Sequence, residues 1–256
     1  MIFFYVPFYY TIITRLHRFS KIVSWFIIYV IPQFLFMFYF FGVIDFVQTF
    51  FKIALGVTLI YTLYEIGYIY NDTETIKNES NPTLRLNSIQ FKYYGEHKLL
   101  IYSLRFLIAI SISFVLLTSC DYYFVILVWC IIPLYAIYNS MRSIWNLPLH
   151  FCLVVIRYCS VIVLSGFESI PFLYCMLLFP LINFLERCSE KRFELPWFQF
   201  FLFSNKKDGR YKYYFILMCI ACSLSFYSPS SFNLTFLCLS VYYFLYRLLL
   251  VKFKMV

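Results

Sequence analysis

The sequence predicts an all-α fold, a polytopic membrane bundle of about eight spanning helices with room for a ninth, built as one integral domain over residues 1–256. Three observations carry this. Of the 256 residues 63% are apolar, and at about 20 residues per span that content fills about eight helices. Charged residues make up 13% of the chain, where soluble domains carry about 25%, and the mean hydropathy is +0.79. The basic residues also collect in alternate gaps between the apolar runs. Together these exclude a soluble enzyme, a disordered chain and a fibrous repeat. The net charge of +9 is read as the Lys and Arg excess of a cytoplasmic membrane face, so no nucleic-acid partner is expected.

The chain opens on MIFFYVPFYYTIITRLHR, residues 1–18, whose basic residues follow the apolar ones. That is the reverse of a secretory signal and reads as an interfacial helix leading into the first span. The apolar runs 22–42, 50–70, 99–118, 121–140, 146–166, 168–187, 211–229 and 231–250 then qualify as spans. The aromatic stretch WFQFFLF, residues 197–203, is too short to cross and is expected in the interface. With the N-terminus in the cytoplasm, 18 of the 21 Lys and Arg fall on inside segments. This asymmetry favours a multi-pass arrangement with both termini inside, expected in a bacterial inner membrane. Lys52 lies near the outer side, and Arg105 and Arg157 lie within spans. The two long connections, 71–98 and 188–210, are then both cytoplasmic, and chemistry on polar substrates is expected there. The nine cysteines fall mostly in apolar runs, Cys219 and Cys222 among them, and support neither a disulfide framework nor a zinc site.

The second span runs into YEIGYIYNDTETIKNESNPTLRL, residues 64–86. With no Gly or Pro between Gly67 and Pro82, the helix is expected to continue past the membrane. At about 100° per residue, Asp72, Thr75 and Glu79 then share one face and Glu74 points away. Two carboxylates and a hydroxyl on one stripe suit Mg²⁺, which takes oxygen ligands and bridges carboxylates to phosphates. A solvated helix end is the other reading. After the sixth span, INFLERCSEKRFELPW (182–197) places Glu186, Glu190 and Glu194 at i, i+4 and i+8, beside Arg187 and Lys191. Pro196 is expected to stop that helix. The two stripes could hold a diphosphate, or anchor the helix end in the headgroup layer. Arg105 and Arg157 are costly within the membrane, so they are expected to pair with Glu65 or to line a wet, phosphate-attracting cavity. Arg142 and Asn146 are weaker candidates, Tyr68, Tyr70 and Tyr138 could line such a cavity, and His17, His97 and His150 receive no role.

The order Asn71-Asp72, Glu79, Asn81-Pro82-Thr83 and Arg85 resembles the first aspartate-rich motif of the UbiA superfamily of membrane prenyltransferases, with the middle acid falling on Thr75. Lys191-Arg192-Phe193-Glu194-Leu195 and Arg157 look like features of the branch containing decaprenyl-phosphate phosphoribosyltransferases, with the spacing of the first differing by one residue. The resemblance implies a UbiA-like bundle around a lipid tunnel, and Mg²⁺ held by Asp72 and Glu79. Asp72, Glu79 and Lys191 would be catalytic. Asn71, Thr75, Arg85, Arg157, Glu186, Glu190, Arg192 and Glu194 would bind substrate. The implied reaction is transfer of an isoprenyl group from a polyprenyl diphosphate to an acceptor. Phosphoribosyl transfer to a polyprenyl phosphate is one alternative. A non-catalytic lipid-binding protein, or a transporter of polyprenyl-linked material, is another. The implied partners are an isoprenoid diphosphate or polyprenyl phosphate lipid and the membrane itself.

Overall fold

The computed structural model describes residues 1–40, 45–78, 82–118, 122–141, 143–201 and 206–252, and their regular structure is all helical. After a 3-10 turn at Ile2–Phe4, the helices in order are α1 (Tyr9–Thr14), α2 (Phe19–Trp25), α3 (Ile31–Phe40), α4 (Phe46–Thr73), α5 (Ser88–Leu117), α6 (Tyr122–Trp129) and α7 (Ile131–Ser140). Then come α8 (Asn146–Cys159), α9 (Ser169–Leu178), α10 (Pro180–Cys188), α11 (Pro196–Phe201), α12 (Lys206–Tyr227) and α13 (Ser231–Lys252). A π-helical turn at Phe26–Val30 joins α2 to α3, and a 3-10 stretch, Ser160–Ser165, extends α8.

Within the described residues, each expected span overlaps one of these helices or a consecutive pair of them. Among the described residues six segments are long and apolar enough to cross a membrane: Phe19–Phe38, Phe46–Lys77, Ser88–Leu117, Tyr122–Ser140, Asn146–Leu164 and Ser231–Lys252. A seventh arises if α9 and α10, bent by 44°, form one broken span. The bend sits where Phe179 leaves the helical region and Pro180 begins α10, and proline can neither donate to the preceding turn nor fit against it. Helix α12 is long enough, but its first turns hold Lys206, Lys207, Arg210 and Lys212, which lower its apolarity. The span count is therefore six or seven by this measure, with α12 as the segment that would complete eight.

Helix α4 forms the axis. Residues 56–57 and 59–67 are buried without a polar face, as expected of a helix enclosed on all sides. Its neighbours are α3, α5, α6, α7 and the 3-10 stretch after α8. Asp45 caps its start by accepting from the Gln48 amide at 3.0 Å. Gly67 lets the Tyr135 ring lie directly on the backbone; a Cβ there would come within 2.3 Å of that ring. Asn87 and Gln90 form a reciprocal capping box that starts α5. Helices α12 and α13 pack as a hairpin, and α13 contacts α3 and α9.

The N-terminal segment departs from the interfacial expectation. Phe3, Phe4 and Tyr10 are buried in a cluster with Ile69, Leu86, Tyr94 and Ile101. Irregular backbone buried against a bundle must find hydrogen-bond partners within the protein. Here Arg105 supplies them, donating to the carbonyls of Phe4 (2.6 Å), Phe3 (3.4 Å) and Val6 (3.4 Å) and to Glu65 at 2.9 Å. Glu65 in turn accepts from the Thr11 amide at 2.6 Å. The side chains of Arg105 and Glu65 are both 0% exposed. This ion pair is the structural bridge that the sequence left open, and it ties the N-terminal segment to α4 and α5.

Candidate functional site

Two adjoining cavities lie between the ends of α4, α7, α8 and α10. The inner one, about 230 Å³, is lined by Arg15, Tyr64, Tyr68, Asn71, Arg85, Tyr135, Tyr138, His150, Leu153, Val154, Arg157 and Asn183. The outer one, about 540 Å³, includes Ile76, Thr83, Asn139, Asn146, Arg187 and Arg192 in its wall. Asn71, Arg85 and Tyr138 border both. Residues of the first motif, the fifth span and the second motif thus meet at one place.

Arg157 lines the inner cavity. Its guanidinium lies over the rings of Tyr64 (5.0 Å) and Tyr158 (5.1 Å) and donates to the Tyr68 hydroxyl at 3.1 Å, while its buried Nε has no hydrogen-bond partner. Arg187 donates to the Tyr138 hydroxyl (2.7 Å) and to Asn146 Oδ1 (3.2 Å), and its Nε is also unpartnered. His150 Nε2 lies 3.1 Å from Asn183 Oδ1. Tyrosine and asparagine orient these cations without cancelling their charge, which leaves donors for an anion.

Asp72 is placed differently from its expected role. Its side chain is 0% exposed, and each carboxylate oxygen is occupied. Arg15 Nη2 reaches both, at 3.0 and 2.9 Å; Arg85 Nη1 donates to Oδ1 at 2.9 Å, and Tyr10 donates to Oδ2 at 3.0 Å. Burial would lower the Arg15 pKa, but the hydrogen bond and charge of Asp72 outweigh it and hold the guanidinium above its ordinary value. Burial, with the adjacent carboxylate, pushes the Tyr10 phenol far up, so it remains a donor.

The expected continuous helix ends at Thr73 and gives way to a 3-10 turn, Thr75–Asn78. The change of helix type breaks the expected stripe of Asp72, Thr75 and Glu79, and Glu74, expected off that face, pairs with Lys98 (2.7 Å), Lys77 (2.7 Å) and Tyr94 (2.8 Å). Thr75 is buried, lines neither cavity, and its hydroxyl has no partner. Glu79 and Arg142 lie outside the described residues. The second acidic stripe is also broken, because α10 ends at Cys188 instead of reaching Pro196. The Ser189 hydroxyl takes the Glu186 carbonyl at 2.7 Å, a local bond that competes with helix continuation. Glu186 is buried and held by Arg210 through two nitrogens. Glu190 pairs with Arg192 at 2.7 Å. Lys191 and Glu194 are exposed and border neither cavity; Glu194 has φ +52° at the end of the Lys191–Phe193 turn.

The described donor set offers magnesium little, and Glu79, the second expected ligand, lies outside the described residues. Among the described residues the cavities are bordered by five arginines, and no group of three or more His, Cys, Asp and Glu side chains could hold a metal. Asp72, the carboxylate beside the inner cavity, already accepts from two guanidinium groups and a phenol, and Glu190 at the outer rim is paired with Arg192. Mg²⁺ demands oxygen ligands in near-octahedral array and a negative surround. What the arrangement can do is bind a phosphate-like anion next to aromatic rings.

Sequence reasoning found Asn71, Arg85, Arg157 and Arg192 of this wall, with Asn146, Tyr68 and Tyr138 as weaker candidates. Tyr70 is exposed and lines neither cavity. It missed Arg15, His150 and Asn183. Arg187 stood in the basic row beside Lys191 and could have been chosen; Arg15 belongs to the segment that folds back, and nothing in its spacing signals that. Compared with models of known protein families, with curated proteins and with solved structures, the chain matches none.

Proposed function

We propose that this chain is a UbiA-like intramembrane protein that takes the phosphate or diphosphate end of an isoprenoid lipid into the arginine-lined cavities at the cytoplasmic membrane face, and transfers the isoprenyl group to an acceptor. The observation that carries the reading is the meeting of Asn71 and Arg85 from the first motif, Arg157 from α8, and Arg187 and Arg192 from the second motif around the same space. The cytoplasmic assignment rests on the basic asymmetry of the connections, with both termini inside.

In this reading the arginines receive the negative charge that grows as the allylic carbon–oxygen bond breaks and its electron pair leaves with the diphosphate. The faces of Tyr64, Tyr68 and Tyr135 stand where a cationic prenyl carbon can be shielded from water. Asp72 acts as a positioning residue, fixing Arg15 and Arg85 at the cavity edge. A second reading, non-catalytic binding or carriage of a polyprenyl phosphate, is favoured by one observation. Asp72, the acid best placed for metal chemistry, is enclosed by cations.

Purified protein in nanodiscs, given labelled isoprenyl diphosphates with candidate acceptors, separates these. A parallel reaction with phosphoribosyl diphosphate and polyprenyl phosphate tests the phosphoribosyl variant. Turnover supports the transferase, saturable binding without turnover supports the carrier, and no binding of any lipid phosphate sinks both.

A further inference from the structure

We infer that the cavity holds its phosphate or diphosphate by guanidinium charge alone, and that magnesium weakens this binding. The inference rests on the proposed anion site and concerns how the anion is recognised.

Five arginines border the two cavities, against two described carboxylates paired with them, Asp72 with Arg15 and Arg85 and Glu190 with Arg192 at the outer rim. The deeper of the two matters most for a ligand inside. That carboxylate, Asp72, is unavailable: its side chain is 0% exposed and its oxygens accept from Arg15, Arg85 and Tyr10. Arg157 and Arg187 touch only tyrosine hydroxyls, tyrosine rings, an asparagine oxygen and no described acid, and each keeps a buried Nε without a partner. Among the described residues, a divalent cation entering here meets an excess of like charge and no carboxylate without a cationic partner. A guanidinium, in contrast, offers two parallel donors to phosphate oxygens and carries its charge at every physiological pH. A diphosphate already complexed with Mg²⁺ brings two fewer negative charges to the same arginines, so its attraction falls. The other acids of the second motif do not change this balance, since Glu186 and Glu190 are each paired with an arginine.

The test measures binding of labelled inorganic diphosphate and of farnesyl diphosphate to the full chain in phosphatidylcholine nanodiscs, in EDTA and in millimolar Mg²⁺. Saturable binding is expected in EDTA, weakened about tenfold by Mg²⁺ and about tenfold by Arg157→Gln, with partial recovery in Arg157→Lys. Arg192→Gln, at the exposed rim, provides a second variant should Arg157→Gln fail to elute as a monodisperse protein; a weakening of a few-fold is expected there. Tighter binding of farnesyl diphosphate identifies a lipid as the source of the anion, and equal binding a soluble one; both agree with the inference. Binding that requires Mg²⁺ overturns the inference and leaves the proposed function standing. Binding in EDTA that ignores both arginine variants overturns it by placing the anion elsewhere. No binding in either condition overturns the proposed function as well.

Discussion

Replacing Asp72 with Asn separates a metal ligand from a structural tie. The carboxylate is fully enclosed, while its partners Arg15 and Arg85 keep 19% and 33% of their side-chain surface exposed. Removing one partner from a buried ion pair costs about 3–5 kcal/mol. Both arginines can turn toward water, which screens the loss and reduces it to about 2 kcal/mol. Asn retains one oxygen acceptor, but its amide sets donors against donors, so the discount goes no further. For a chain of this size that is a drop of roughly 4–8 °C in melting temperature. The assay is thermal unfolding of wild type and Asp72→Asn in one detergent, followed by diphosphate affinity in EDTA. The expected result is lower stability with affinity retained or raised a few-fold, since two guanidinium groups are released at the cavity edge. Adding Arg15→Gln should recover part of the lost stability by removing one stranded charge. Unchanged stability together with loss of Mg²⁺-dependent binding would refute this account and restore Asp72 as a metal ligand.

Other outcomes follow from single contacts. Gly67→Ala drives a methyl into the Tyr135 ring, within 2.3 Å before relaxation; about 1–3 kcal/mol of stability and most diphosphate binding should be lost, and wild-type binding would show that the ring moves without cost. Arg105→Leu or Glu65→Leu alone should cost about 3–5 kcal/mol and expose the N-terminal segment to trypsin. The Arg105→Leu, Glu65→Leu double variant should be more stable than either single one, and additive losses would contradict the pairing. For orientation, His17→Cys and Ser228→Cys in a cysteine-free background should react with a membrane-impermeant reagent from opposite sides, His17→Cys from the cytoplasm. The reverse pattern would exclude the N-in arrangement.

The spans were legible because lipid imposes one requirement along the whole chain: about 20 apolar residues for every crossing. Within the described residues the eight expected runs each overlap one or two helices, and the described part of the aromatic stretch after the second motif lies in the short α11. Helix ends and side-chain partners were less legible, because tertiary contacts decide them. Nothing near Glu74 in sequence announces that Lys98 and Tyr94, on α5, will take its carboxylate where the helix gives way to a 3-10 turn. The choice between Arg105 and Arg157 as the partner of Glu65 was equally open. It is decided by residues 3–11, which read as an interfacial helix but fold against α4 and α5 and need the donors of Arg105.

That fold-back also explains where the positive charge of the site comes from. In the membrane-associated helices the buried and half-buried described acids are taken up, Glu65 by Arg105, Asp72 by Arg15 and Arg85, Glu74 by Lys77 and Lys98, Glu186 by Arg210, while the exposed Glu96 of α5 is in none of these pairs. Burying an unmatched carboxylate is expensive, so the few acids act as anchors for neighbouring segments. Among the described residues, Arg157 and Arg187 are then left with tyrosine and asparagine partners. A buried cation without a counter-charge carries a similar cost, and a bound anion would relieve it. The sequence drew attention to the acids because they are rare. The pairing geometry shifts it to the arginines those acids do not reach.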